Sequence, residues 1–196
     1  MSRLTHSRLT TRDLARIAVF AALLAVLGLI GPIPVPGLPV PVTAQTLGVM
    51  LAGTVLGAKR GTASVVLFIL LVLIGLPLLS GGRGGPGVLL APTAGYLVGW
   101  IPGVVVTGLI AHAGTRLRWW RVLLGAIVGG VLVVYAFGIP GTALLGHIPL
   151  RAALIGALAF IPGDILKAIL ATLITLAVWR AAPDVLAPAR STQGRR

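Results

Sequence analysis

One acidic and one basic residue stand three positions apart in an otherwise apolar stretch of the chain. They are Asp164 and Lys167, in the segment FIPGDILK at 160–167. At this spacing the two side chains share one face of a helix. A carboxylate accepts hydrogen bonds and an ammonium donates them, so the pair suits a ligand with N–H groups beside a carbonyl. The alternative is a self-neutralising pair that serves only helix packing.

A lone arginine, Arg83, lies in the glycine-rich segment GGRGG. Glycines on both sides let the backbone turn tightly and approach a ligand closely. An arginine in such a loop favours a clamp for an anionic group such as a carboxylate. An ordinary solvated loop arginine is the alternative.

Several aromatic and amide side chains within apolar runs are further candidates for ligand contacts. Tyr96 and Trp100 are four positions apart and share a helix face, which suits an aromatic wall for an apolar ligand. Gln45 and Tyr135 each carry a polar group that needs a partner if it is buried. Helix packing is the competing explanation for all four residues.

These residues must be positioned by membrane-spanning helices, because 57% of the 196 residues are hydrophobic and only 10% are charged. An apolar run of about 20 residues crosses the roughly 30 Å of hydrocarbon as a helix. The runs predict an all-α polytopic protein with a six-helix membrane domain at 14–180. An N-terminal segment (1–13) and a C-terminal tail (181–196) flank it. The predicted spans are 14–31, 43–58, 62–79, 88–113, 122–139 and 153–179.

The positive charges predict the orientation of these spans. Of the sixteen lysines and arginines, thirteen lie at 3–16, at 59–60, at 116–121 or from residue 180 onward. Cytoplasmic segments carry such an excess of positive charge, so both termini are expected in the cytoplasm. The net charge of +13 therefore indicates membrane topology and a lipid bilayer, not a nucleic-acid partner.

Two further segments bear on partners and access. Ala18/Ala22 and Ala21/Ala25 form small-xxx-small patterns in the first span, which suit docking onto a partner membrane protein or internal packing. Five prolines at 32–41 make the following connection extended and not helical.

The chain lacks the motifs of the common enzymes. It has no cysteine, and its three histidines are scattered, so neither thiol chemistry nor a metal site is expected. Without G-x-x-x-x-G-K-[ST] it hydrolyses no ATP by itself, and G-x-S-x-G and H-E-x-x-H are also absent. Asp164 is the only carboxylate inside a span, whereas an aspartyl protease needs two. We therefore expect no enzyme.

Four segments, in this order and spacing, resemble the BioY family, the biotin-specific S components of energy-coupling-factor (ECF) transporters. They are VPVTAQTLGVMLAG (40–53), IGLPLLSGGRGGPGVLLAPTAGYLVGW (74–100), YAFG (135–138) and FIPGDILK (160–167). The resemblance implies the six-helix S-component fold and high-affinity biotin capture at the bacterial cytoplasmic membrane. It also implies a transmembrane coupling subunit and ATP-binding subunits as partners, with no cofactor on this chain.

The resemblance also implies roles for residues. Asp164 and Lys167 would contact the ureido ring of biotin, and Arg83 the valerate carboxylate. The segment 32–41 would cover the site, and the alanines of the first helix, Ala18, Ala22 and Ala25, would dock on the coupling subunit. Alternatives left open are an S component for another vitamin, a solitary biotin transporter, a homo-oligomer and a secondary transporter.

Overall fold

The computed structural model describes residues 10–114 and 116–182. All regular secondary-structure elements in these ranges are helices. The parts of the predicted N-terminal segment and C-terminal tail at 1–9 and 183–196 lie outside the described residues. The α-helices are α1 (Thr11–Gly28), α2 (Gln45–Leu73), α3 (Ala94–Ala111), α4 (Trp119–Ile127), α5 (Val134–Leu145), α6 (Leu150–Ala157) and α7 (Ile161–Ala181).

Two pairs of these helices run on as single rods. A π-helical turn, Val128–Val133, joins α4 to α5, and a 3₁₀ turn, Leu158–Phe160, joins α6 to α7. Within the described ranges, four helices are long and apolar enough to cross a membrane. They are Gln45–Leu73, Ala94–Ala111, Trp119–Leu145 and Leu150–Ala181. The prediction of an all-helical membrane protein is therefore confirmed at this level.

α2 is folded back on itself at Gly57. This residue has φ 76° and ψ 178°, a conformation that glycine adopts far more readily than other residues. A Cβ on Gly61 would lie 2.5 Å from the carbonyl oxygen of Ala52. In a straight helix these two residues would be about 13 Å apart along the axis. Residues 45–56 and 58–73 are therefore two arms of a helical hairpin. The break predicted between the second and third spans, at 58–61, lies one residue after the observed turn at Gly57.

The third and fourth predicted spans are longer than the helices observed. The third was expected to reach residue 79 but ends at Leu73, because Gly75 follows with φ 112°. The fourth was expected from residue 88 but begins at Ala94, because a 3₁₀ turn precedes it. The last two predicted spans lie inside the longer rods described above.

α3 packs backbone to backbone through glycines spaced four residues apart, Gly95, Gly99 and Gly103. A Cβ on Gly99 would lie 3.0 Å from the carbonyl oxygen of Val134, and one on Gly103 would lie 2.9 Å from that of Gly129. Such small-residue contacts are the usual basis of close helix association in membranes. They fix α3 against α5 and the π-helical turn.

The contacts define two ends of the helix bundle. At one end, Asp13 forms an ion pair with Arg60 at 2.8 Å, and the His112 ring meets the carbonyl oxygen of Thr54 at 2.8 Å. The start of α1, the turn of α2 and the end of α3 therefore meet at this end, which we call the Arg60 end. The connections 29–44, 74–93 and 146–149 form the opposite end, called the cavity end.

Candidate functional site

A cavity opens at the cavity end; the space in it that is free of protein atoms, including the part open to solvent, is about 580 Å³. Its walls come from the first turn of α2, from α3, from α7 and from the two long connections. Most of the lining surface is apolar, as is usual for small-molecule sites. Among the lining residues are Arg83, Tyr96, Trp100, Phe160 and Lys167.

Asp164 and Lys167 lie together on α7, as their spacing predicts. The Lys167 ammonium donates to Asp164 Oδ1 at 2.9 Å and to the hydroxyl of Thr46 at 3.0 Å. Tyr135 donates its hydroxyl to Asp164 Oδ2 at 2.6 Å. The carboxylate of Asp164 is thus held by α5 and α7 side chains, while Thr46 on α2 completes the cluster.

The two members of this pair differ in their access to the cavity. Lys167 lines the cavity and its side chain is 14% exposed, whereas Asp164 lies behind it with only 3% of the residue exposed. A buried ion pair of this kind is compensated only while both partners remain. The cluster offers a ligand an ammonium donor, a hydroxyl that donates or accepts, and the remaining lone pairs of a carboxylate.

Three aromatic rings surround this cluster edge to face. The ring centroids of Tyr96, Tyr135 and Phe160 are 6.0 to 6.4 Å apart, at interplanar angles of 72° to 82°. Tyr96 and Phe160 face the cavity, and Tyr135 lies behind them. Phe160 and Thr46 were not singled out from the sequence, although Phe160 opens the FIPGDILK segment.

Trp100 lines the cavity and carries a buried indole N–H. The residue is 5% exposed, and its ring lies 6.0 Å from that of Phe68. Its indole Nε1 is buried and has no hydrogen-bond partner among the described residues. Because a buried unpaired donor is costly, this N–H is suited to an acceptor on a bound ligand.

Arg83 is presented by a tight turn. Leu79 and Arg83 exchange backbone hydrogen bonds of 3.0 and 3.2 Å around Gly81 and Gly82, whose φ values are 82° and 69°. The side chain donates from Nε to the carbonyl oxygen of Ser80 at 3.3 Å and from Nη1 to the hydroxyl of Thr93 at 3.2 Å. No carboxylate of the described residues pairs with Arg83, so its charge is available to an anion.

Gln45 reaches the cavity wall but its amide is used by the protein. Its Nε2 donates to the carbonyl oxygens of Leu24 and Leu78 at 3.0 and 3.1 Å. Its Oε1 accepts from the backbone N–H of Ser80 at 3.0 Å. The predicted contact of this amide with a ligand stays a prediction, and only one Oε1 lone pair is left for it.

The connection between α1 and α2 contributes residues 40–43 to the wall of the cavity. Ile33 and Val42 exchange backbone hydrogen bonds of 2.9 Å, which makes residues 31–44 a hairpin. Leu38 fills the position that a Cβ on Gly156 would occupy. We call residues 31–44 the cover hairpin. The extended, non-helical character predicted for 32–41 agrees with it.

The alanines of α1 lie on two faces. Ala18 and Ala22 are exposed, whereas Ala21 is buried and Ala25 packs partly buried against the core. Only the Ala18/Ala22 pattern is therefore open to another protein.

The comparisons with known proteins place this arrangement in a family. The family model described as "BioY family" matches residues 1–184. The chain belongs to the BioY family. The resemblance inferred from the four motifs is thereby confirmed.

Curated members of the BioY family cover nearly the whole chain. A protein named biotin transporter BioY from Rhizobium etli is 49% identical over 189 residues, covering 93% of this chain and all of that protein. Another with this name, from Rhodobacter capsulatus, is 44% identical over 188 residues, covering 89% of this chain and 97% of the relative.

A solved structure shows the same fold. The crystal structure of the S component for biotin from an ECF-type ABC transporter superimposes with a TM-score of 0.83 at 36% identity. The match covers 88% of this chain and 95% of that one. The S-component fold predicted from the sequence is therefore confirmed.

Proposed function

We propose that this protein captures biotin and takes it up across the membrane as the substrate-binding subunit of an ECF-type transporter. The observation that carries the proposal is the cavity itself, which places the Lys167 cluster and the unpaired cation of Arg83 in one largely apolar chamber. Biotin has matching chemistry, with a cyclic urea in an apolar bicycle and a carboxylate on a flexible chain.

The urea ring meets the cluster on α7. The Lys167 ammonium donates to the urea oxygen, and the Thr46 hydroxyl and Asp164 carboxylate accept from the urea N–H groups. The bicyclic ring packs on Tyr96 and Phe160, whose rings already line the cavity. Binding adds donors and acceptors to a cluster that is neutral as a whole, so no uncompensated charge is created.

The carboxylate of biotin meets Arg83. This arginine is held by Ser80 and Thr93 and lacks an acidic partner among the described residues. A charge-assisted contact between a guanidinium and a carboxylate is among the stronger polar interactions in proteins. The indole N–H of Trp100 is a further donor for an acceptor of the ligand.

The proposed topology has six spans with both termini in the cytoplasm. α1, the two arms of α2, α3 and the two long rods supply six segments that cross the bundle. Lys59, Arg60 and the 116–121 cluster lie at the Arg60 end, in keeping with cytoplasmic positive charge. The cavity then faces outward beneath the cover hairpin in a bacterial cytoplasmic membrane.

Energy for uptake comes from partners in this proposal. Ala18 and Ala22 on the open face of α1 dock a transmembrane coupling subunit, and ATP-binding subunits complete the transporter. The chain itself needs no cofactor and carries out no reaction. Uptake by this chain alone in cells that lack coupling and ATP-binding subunits would contradict this part of the proposal and favour a solitary transporter.

Mass spectrometry of the small molecule retained by the purified protein tests the ligand. We expect biotin, and retention of a different vitamin would overturn the assignment. Binding of labelled biotin to Arg83→Gln should be at least about tenfold weaker, because a hydrogen-bonded charge contact is lost. Arg151→Gln is the matched control, since Arg151 is exposed and does not line the cavity.

A further inference from the structure

We propose that Gln45 is a positioning residue that sets Arg83 for the anionic end of the ligand. This inference rests on the function proposed above. Gln45 acts through the backbone of residues 78–80 and through the turn that carries the arginine. It thereby decides how well the site recognises a carboxylate, without contacting that group itself.

Gln45 connects three segments of the chain through hydrogen bonds of its side-chain amide. Its amide binds the carbonyl oxygens of Leu24 in α1 and Leu78 after α2, and also the N–H of Ser80. Gln45 is 1% exposed and Ser80 is 2% exposed. If the amide were lost, the Leu78 carbonyl oxygen and the Ser80 N–H would lose these partners, which favours displacement of residues 78–80.

Gly28 lies in close contact with the same hydrogen-bonded groups. A Cβ on Gly28, the last residue of α1, would collide with the carbonyl oxygen of Leu78 and lie 2.9 Å from Gln45 Nε2. The end of α1 therefore has to be a glycine for residues 78–80 to come this close. Substitution of Gly28 therefore displaces residues 78–80 and the Gln45 amide but keeps the amide group instead of removing it.

Arg83 is bound directly to the segment that Gln45 holds. The Ser80 N–H donates to Gln45 Oε1, and the Ser80 carbonyl oxygen accepts from Arg83 Nε at 3.3 Å. Leu79, next in the chain to both Leu78 and Ser80, pairs with Arg83 through two backbone hydrogen bonds. A shift of residues 78–80 is therefore passed to the guanidinium by both its side-chain and its backbone contacts.

This arrangement separates a positioning role from a purely structural one. Biotin and its methyl ester share the bicyclic ring, but only biotin carries a negative charge. Gln45→Leu should weaken the binding of biotin about tenfold or more, yet change the binding of the ester less than about threefold. In the Gln45→Leu/Arg83→Gln double variant, biotin binding should match that of Arg83→Gln alone, because both changes remove one interaction.

Gly28→Ala provides an independent test should Gln45→Leu fail to fold. It should show the same selective loss of biotin over the ester, because it displaces the same segment. Gly87→Ala is the matched control, since a Cβ there meets nothing within 4 Å. Binding is measured calorimetrically on purified, monodisperse protein in detergent.

The outcomes separate this inference from the function on which it rests. If the unaltered protein binds neither biotin nor its ester, the proposed function fails. If it binds both, but Gln45→Leu or Gly28→Ala weakens them equally, the positioning role is wrong. Additive losses in the double variant would also overturn it.

Discussion

Replacing the two charged residues of α7 singly and together separates their roles in folding and in binding. Asp164 is held by Tyr135, Lys167 and Thr46, and almost none of it is exposed. Asp164→Asn leaves the Lys167 ammonium buried without its partner, and Lys167→Met does the same to the carboxylate. Breaking a buried ion pair in this way costs about 3–5 kcal/mol.

The double variant Asp164→Asn/Lys167→Met keeps the volume of both side chains and buries no charge. Replacement of a buried pair by neutral groups of similar size is often nearly neutral for stability. We therefore expect each single variant to lose thermal stability in detergent and the double variant to regain most of it. The fraction of monodisperse protein that remains after heating measures this.

Binding should not recover with stability. Lys167→Met removes a charged donor to the ligand, worth about 1.5–3 kcal/mol, so Kd should rise about 10- to 150-fold. The double variant should bind biotin at least as weakly. A stable double variant that binds biotin like the unaltered protein would refute the reasoning, because the pair would then serve helix packing alone.

Three further changes test separate parts of the cavity end. Gly82→Ala places a side chain on a backbone with φ 69°, which costs about 1–2 kcal/mol of conformational energy, and should weaken biotin binding. Gly87→Ala is the control, because Gly87 has open space around it and no positive φ, and should leave binding unchanged. The valine side chain of Gly156→Val would occupy the space of Leu38 and displace the cover hairpin. Biotin dissociation should therefore be several-fold faster in stopped-flow measurements. Trp100→Phe keeps an aromatic ring at this position but removes the unpaired indole N–H, and should weaken binding about 2- to 12-fold.

Each of these expectations has a contrary result. Equal binding by the Gly82 and Gly87 variants would mean that the turn does not set the arginine. An unchanged dissociation rate for Gly156→Val would show that the cover hairpin does not limit release. Unchanged affinity of Trp100→Phe would mean that the indole N–H meets no ligand atom.

The sequence predicts best what depends on composition and local spacing. Apolar runs indicated a helical membrane protein, and the (i, i+3) spacing of Asp164 and Lys167 placed them in contact at 2.9 Å. Five prolines indicated a non-helical connection between α1 and α2, where the structure has the cover hairpin. Such features are decided by a few neighbouring residues, so they can be inferred without the tertiary structure.

Contacts between distant segments could not be predicted in the same way. Thr46 joins the cluster from 121 residues away, and Gln45 bonds to groups 21 to 35 residues distant. Neither residue type nor spacing marks such partners, because they depend on how the helices pack. Helix ends near Leu73 and Ala94 were misplaced for a related reason, since hydropathy continues past the glycines and the 3₁₀ turn that end the helices.

The glycine stripe of α3 has a consequence for the dimensions of the binding site. Gly95, Gly99 and Gly103 bring the α3 backbone against its neighbours, and Tyr96 and Trp100 project from the same helix into the cavity. A larger residue at any of the three glycines would push α3 away from α5 and the π-helical turn and change the dimensions of the cavity. The width of the cavity thus depends on these three glycines, although none of them lines it.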